Sequence, residues 1–290
     1  MKMKLAQRLL IGYYKTKLKT IALVSSQKAA EAAFELFCTP YSRKPKGKSP
    51  PVFHKAEKLS FEQNGLNIRG FRWKPEHPNG KKILIVHGFS SYAYKFEKYI
   101  LLLKKEGFEV VAFDAPAHGT SDGKLINAYI YKYALLQIES LYGPFYGIMG
   151  HSLGGLAAAL AFEELPGAEK RKLVLIAPAT ETERAISNFF KMIPVDEKTE
   201  QAFRQLVVEV VGLPITYFSV SRIIKKITSP VLWVHDRHDP VCPFEDVKPL
   251  LSANLPHVKF LITEQLGHSK VYKDSKVAGA IVQFFGQGIS

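Results

Sequence analysis

The sequence predicts an α/β fold: a mostly parallel sheet with helices on both faces and a small helical cap inserted between two late strands. Three observations predict it. Short apolar runs recur at 83–86, 110–113, 146–149, 173–176, 231–234 and 258–262. Each is followed by a loop and usually by a helical stretch, the rhythm of buried parallel strands joined by crossover helices. One interval, between residues 177 and 230, has room for two or three helices and no convincing strand. A hairpin pattern precedes all of this, with strands at 59–62 and 67–73 around Asn64-Gly65, a dipeptide suited to tight turns.

Composition bounds the rest. The 290 residues are 47% apolar and 23% charged, which suits one or two globular domains and excludes a disordered, collagen-like or disulfide-framework chain. No apolar run approaches the roughly 18 residues of a membrane span, so a soluble protein is expected, with any membrane contact peripheral. The net charge of +14 is unevenly placed: residues 1–58 hold 13 basic and 3 acidic side chains. Cys38 and Cys242 are too few for a disulfide framework or a zinc site and read as incidental thiols. The opening Met1-Lys2-Met3-Lys4 resembles the start of a secretion signal, but Arg8 interrupts the apolar stretch and Lys15, Lys17 and Lys19 close it. The expected location is cytoplasmic.

In chain order, residues 4 to about 37 can form a helix, and at about 100° per residue Lys4, Arg8, Lys15 and Lys19 share one narrow arc. Packing on the body or a partner is the preferred reading of this helix. Resting on an anionic membrane surface is the alternative, which would suit an enzyme acting on lipids. The Pro- and Lys-rich stretch 39–51 cannot continue a helix and reads as a linker. Residues 1–57 are thus expected to be a basic helix with its linker, and 58–290 the α/β domain with its helical cap. Helices are expected at 94–105, 153–165, 245–253 and 271–285. Within the cap, at about 181–222, they are expected at 183–192 and 199–211, with Pro194 and Pro214 as breaks. An insertion at that edge of a parallel sheet lies where ligands bind and would supply specificity.

The most informative segment is Tyr146-Gly-Ile-Met-Gly150-His-Ser152-Leu-Gly154-Gly155, where a buried strand runs through Gly-x-Ser-x-Gly into an Ala-rich helix. That is the pattern of a nucleophile elbow: a serine exposed on a sharp strand-to-helix turn, with small residues two before and two after to let neighbouring backbone pass. A serine hydroxyl needs a base, and the base an orienting carboxylate. Both follow in loops after later strands, Asp239 in His235-Asp236-Arg237-His238-Asp239-Pro240 and His268 at the end of Thr263-Glu264-Gln265-Leu266-Gly267-His268.

Over residues 58–286 the chain resembles the α/β-hydrolase fold superfamily, in its group of serine esterases and monoacylglycerol-lipase-like and lysophospholipase-like enzymes. The pieces that carry the likeness are His87-Gly88-Phe89, Asp114-Ala-Pro-Ala-His118-Gly119-Thr-Ser121, the elbow, and the acid and histidine loops, in that order. The resemblance implies catalytic Ser152, Asp239 and His268, with the backbone N–H groups of Phe89 and Leu153 as oxyanion hole. Two positions depart from the family pattern, Ala117 and Asp236, each where glycine is usual. Asp236 places a second carboxylate three residues before Asp239, and Asp239 is the preferred acid.

The remaining histidines read as structural. His87 and His118 would hydrogen-bond their loops, His151 would point away from the nucleophile or line its pocket, and His54, His77 and His257 would be solvated. The cluster His235, Asp236, His238 and Asp239 comes from one short loop without flanking metal ligands, so no metal is expected. A few aromatics among Tyr92, Tyr94, Phe96, Phe189, Phe190, Phe203, Tyr217 and Phe218 could line an acyl pocket. The implied activity is hydrolysis of a carboxylic ester, lipid-like or otherwise, through an acyl-enzyme and without metal or organic cofactor. Acyl transfer, thioester or amide cleavage by the same triad, and a non-catalytic binding protein on the same fold, are the alternatives. A small-molecule ester is the expected partner. The basic extension also admits nucleic acid, but no nucleic-acid fold is recognisable and that partner is disfavoured.

Overall fold

In the computed structural model, which describes residues 5–42, 45 and 47–288, the apolar runs form strands. These are β1 (Glu57–Gln63), β2 (Leu66–Trp73), β3 (Lys82–Val86), β4 (Glu109–Phe113), β5 (Gly147–His151), β6 (Lys172–Ile176), β7 (Val231–Asp236) and β8 (Val258–Thr263). The helices are α1 (Leu5–Ala22), α2 (Ser26–Cys38), α3 (Pro51–His54), α4 (Glu97–Lys105), α5 (Ala128–Tyr142), α6 (Leu153–Phe162), α7 (Thr182–Met192), α8 (Glu197–Val211), α9 (Val220–Ile224), α10 (Lys248–Ser252), α11 (Gly267–Lys270) and α12 (Ser275–Gly286). They fall into two units, one of the described residues up to Thr39 with Glu181–Phe218, the other of Pro40–Thr180 with Ser219 onward.

The larger unit is built on one eight-stranded sheet in the order β1-β2-β4-β3-β5-β6-β7-β8. β1 and β2 pair antiparallel around Asn64 and Gly65, both at positive φ, and β2 joins β4 antiparallel. From β4 to β8 every pairing is parallel. β5, β6 and β7 are buried along their whole length, so water reaches neither face. One face, with Ile83, Ile85, Val110 and Val234, packs on α4 and α12 through Tyr99, Leu103, Val277, Ile281 and Phe285. α6 lies on the other, flanked by α5 and α9. Strand order reverses at β3, which has β4 on one side and β5 on the other. Loops diverge from such a point and leave a crevice beyond the strand ends, the usual ligand position in open α/β sheets.

The smaller unit has its own core, in which Leu18, Ala30 and Ala33 pack with Ile186, Phe189, Phe190, Phe203 and Val207. Residues 5–39, read from sequence as an extension, therefore share an interior with the cap helices α7 and α8. The single helix expected over 4–37 is divided at Ser25, which is extended (φ −160°) and caps α2 by accepting a hydrogen bond from the Lys28 N–H at 3.2 Å. Asp196 caps α8 in the same way, through the Thr199 N–H, and Gly212 ends it at φ 68°. Lys4 of the basic arc lies outside the described residues, as do Arg43, Lys44 and Lys46 of the linker. The expected helix at 245–253 is shorter, because Pro249 cannot donate within it and only Lys248–Ser252 is α-helical.

Candidate active site

The elbow sits at the end of β5. Ser152 has φ 56° and ψ −124°, a conformation that costs an ordinary residue about 1–3 kcal/mol. Hydrogen bonds hold it: its N–H donates to Ile176 O at 3.1 Å, and its carbonyl accepts from Gly155 at 2.9 Å and Ala179 at 3.0 Å. The turn also explains the glycines. A Cβ on Gly150 would stand 2.5 Å from the Gly154 carbonyl oxygen, and one on Gly154 would stand 2.2 Å from the His87 oxygen. Helix α6 starts directly behind Ser152 and turns its partly positive end toward the hydroxyl.

Three side chains from three loops meet here. His268 Nε2 lies 3.0 Å from Ser152 Oγ, and His268 Nδ1 lies 2.8 Å from Asp239 Oδ2. The other Asp239 oxygen accepts from the N–H groups of Val241 at 2.8 Å and Cys242 at 2.9 Å. Burial alone would raise the Asp239 pKa. The hydrogen bond and charge of His268 outweigh it, aided by the two N–H groups, and hold the carboxyl below its usual range. An ionised Asp239 fixes the Nδ1–H tautomer and turns Nε2 to the serine, the arrangement a general base needs.

The loop after β3 brings Phe89 beside the elbow, close enough that a Cβ on Gly88 would stand 2.9 Å from Ser152 Cβ. Among the described residues no acceptor takes the N–H of Phe89 or of Leu153. The loop is knit by histidines. His87 accepts the Ala115 N–H at Nε2 and donates from Nδ1 to Gly88 O, while His118 accepts the Ser90 N–H at Nε2, 2.9 Å away. Burial pushes His87 down to about 4, which keeps it neutral. Asp114 is fully buried and accepts from Ala93 and Thr120. Ala117 occupies the usual glycine position at φ 66°.

Asp236 does not touch the His268 ring. Its carboxylate accepts from Thr263 Oγ1 at 2.7 Å, from the N–H groups of Leu266 and His238 at 3.0 Å each, and from the Gly267 N–H. Burial would raise its pKa, and these donors, led by the Thr263 hydroxyl, lower it instead. It ties the end of β7 to the loop that carries His268. His235 braces the loop after β7 that carries Asp239: Nε2–H donates to Cys242 O at 2.8 Å, and burial lowers its pKa. His151 is buried beside the His268 ring and donates from Nε2 to His268 O at 3.1 Å, and burial, then the charge of His268, push it down to about 3.

Sequence reasoning missed two neighbours. The Cys242 thiol is buried in the loop that carries Asp239, and burial, then the Asp239 charge, raise its pKa and keep it protonated. Its position three residues after the acid was the available signal. Tyr41, in the supposed linker, donates its N–H to Ser90 Oγ at 3.0 Å and sets its ring against Phe89. No local pattern announces that contact. Among the described residues no group of three or more His, Cys, Asp or Glu is placed to hold a metal ion.

With this geometry in place, likeness to known proteins becomes informative. The model of the Hydrolase_4 family, described as serine aminopeptidase, S33, matches residues 77–220. A serine hydrolase-like protein of Dictyostelium discoideum is 29% identical over 129 residues, 42% of this chain and 36% of that protein. The human monoglyceride lipase is 27% identical over 129 residues, 42% of each chain. The matches span about two fifths of the curated relatives' length. In structure, the Pyrococcus furiosus esterase Pf2001 superposes with a TM-score of 0.63 at 18% identity, over 87% of this chain and 97% of that one. The chain has the α/β-hydrolase fold. Within that fold, it is similar to serine hydrolases of the esterase and monoacylglycerol-lipase kind.

Proposed function

We propose that this protein is a serine esterase that cleaves a carboxylic ester through an acyl-enzyme on Ser152. The observation that carries the reading is the continuous path from Ser152 Oγ through the His268 ring to Asp239, with spacings of 3.0 and 2.8 Å. As Oγ attacks the ester carbonyl, its proton passes to His268 Nε2, and Asp239 balances the imidazolium. The N–H groups of Phe89 and Leu153 take the oxyanion; donors of this type are worth about 10²–10³ each in kcat. Collapse of the tetrahedral intermediate breaks the ester C–O bond, and His268 returns the proton to the leaving alcohol. Water, deprotonated by the same Nε2, then attacks the acyl-serine and releases the carboxylic acid. Asp236, His235 and His151 position the acid and histidine loops without touching substrate.

The test is release of p-nitrophenol from esters of graded acyl length. The wild type turns over with one preferred length, and Ser152→Ala and His268→Ala each lose about 10⁶ in kcat. Equal inertness of wild type and Ser152→Ala across the panel contradicts the reading.

A further inference from the structure

α1 exposes what a soluble helix normally hides. Leu5, Leu9 and Tyr13 are 70%, 66% and 60% exposed, and Leu23 and Val24, just past its end, are 89% and 84% exposed. At about 100° per residue Leu5, Leu9 and Tyr13 form one stripe. Arg8, Lys15 and Lys19 border it on one side, Lys17 and the half-exposed Leu10 on the other. Leu18, fully buried, and Ile11 and Tyr14, partly buried, occupy the opposite face and hold the helix to its own unit. α1 contains no acidic residue, and among the described residues none of its four cations has a carboxylate partner.

We infer that this face docks onto an anionic lipid bilayer, with α1 lying in the interface plane. A helix of 18 residues is about 27 Å long. It is not apolar enough to span, since no helix among the described residues can cross a membrane. Lying flat, it sinks an apolar stripe between headgroups, and both of its borders meet those headgroups. Cations on both borders match that arrangement. A nucleic acid would engage the cations and gain nothing from exposed leucines. A second copy would bring an identical unpaired basic face against the first and be repelled. The inference stands apart from the esterase reading, because no residue of the candidate site takes part.

The full chain is mixed with phosphatidylcholine vesicles and with vesicles holding about 30% phosphatidylglycerol, at about 50 mM and about 500 mM salt. Two variants accompany it, Leu5→Gln/Leu9→Gln/Leu23→Gln and Arg8→Gln/Lys17→Gln/Lys19→Gln, with circular dichroism and turnover of a soluble ester confirming that each is folded. The expected result is binding to the anionic vesicles only, weakened about tenfold or more by either variant and by high salt. Four results overturn the inference: no binding to anionic vesicles; equal binding to both kinds; binding insensitive to the leucine variant; or a concentration-dependent dimer, or an RNA complex, abolished by the leucine variant.

Discussion

The loop after β7 and the outward face of α1 differ in how their groups are engaged. After β7, the Asp236 and Asp239 carboxylates, the His235 ring and the Cys242 amide are all taken by neighbours in the same fold. On the outward face of α1, Leu5 and Leu9 are exposed, and among the described residues the four cations have no carboxylate partner. Chemistry requires the first condition, because a nucleophile and base must be held still before substrate arrives. The second leaves interaction capacity for something outside the chain. Substitutions should therefore propagate from the first region and stay local in the second.

The two carboxylates of the loop sharpen the contrast most. Asp239→Asn, which reverses the tautomer preference of His268, is expected to lower kcat about 10⁴-fold with the fold intact. Asp236→Asn turns an amide donor toward N–H groups and is expected to cost about 2–3 kcal/mol of stability, read as a lower denaturation midpoint. Its loss of kcat should be far smaller than that of Asp239→Asn. Equal catalytic losses would break the distinction between an acid that faces the base and one that fastens its loop.

Acid pH tests the engaged region as a whole. His87 and His151, held near about 4 and about 3 by burial, remain neutral when folded. Unfolded, each titrates near about 6.5. Between those values the unfolded chain binds more protons, so their contribution to stability is complete above about pH 6.5 and is lost as pH falls through that window. Thermal unfolding should show a Tm that drops steadily from pH 6.5 toward pH 4, with a shallower slope in His151→Leu. A flat profile would mean that these rings are not buried neutral. The smallest effect belongs to α1, where Leu9→Gln and Lys17→Gln should each shift stability by no more than about 0.5 kcal/mol and leave turnover of a soluble ester unchanged.

The same contrast explains what the sequence made legible. β3 to β8 are short apolar runs bounded by polar turns, and their period and punctuation are local signals. The elbow is local too, since Gly150, Ser152 and Gly154 lie within five residues and the turn sterically demands them. α5 was missed because Tyr129, Tyr131 and Tyr133 favour strands and its apolar residues show no clear face. Its start signal is the Asn127 side chain, which accepts from the Ile130 N–H at 2.8 Å. The pairing of α1 and α2 with α7 and α8 joins segments some 150 residues apart, and periodicity gives a helix its apolar face without naming a partner. The role of Asp236 is hidden for a like reason, because its donors at Thr263, Leu266 and Gly267 come within reach only when β8 pairs with β7.

The most direct test of Ser152 as the nucleophile is a fluorophosphonate reaction followed by intact-mass and peptide mass spectrometry on wild type, Ser152→Ala and Asp236→Asn. A single adduct on the peptide bearing Ser152, formed rapidly by wild type, still formed by Asp236→Asn and absent from Ser152→Ala, is the expected result. A wild type that resists the probe, or that is labelled equally well without Ser152, would contradict it.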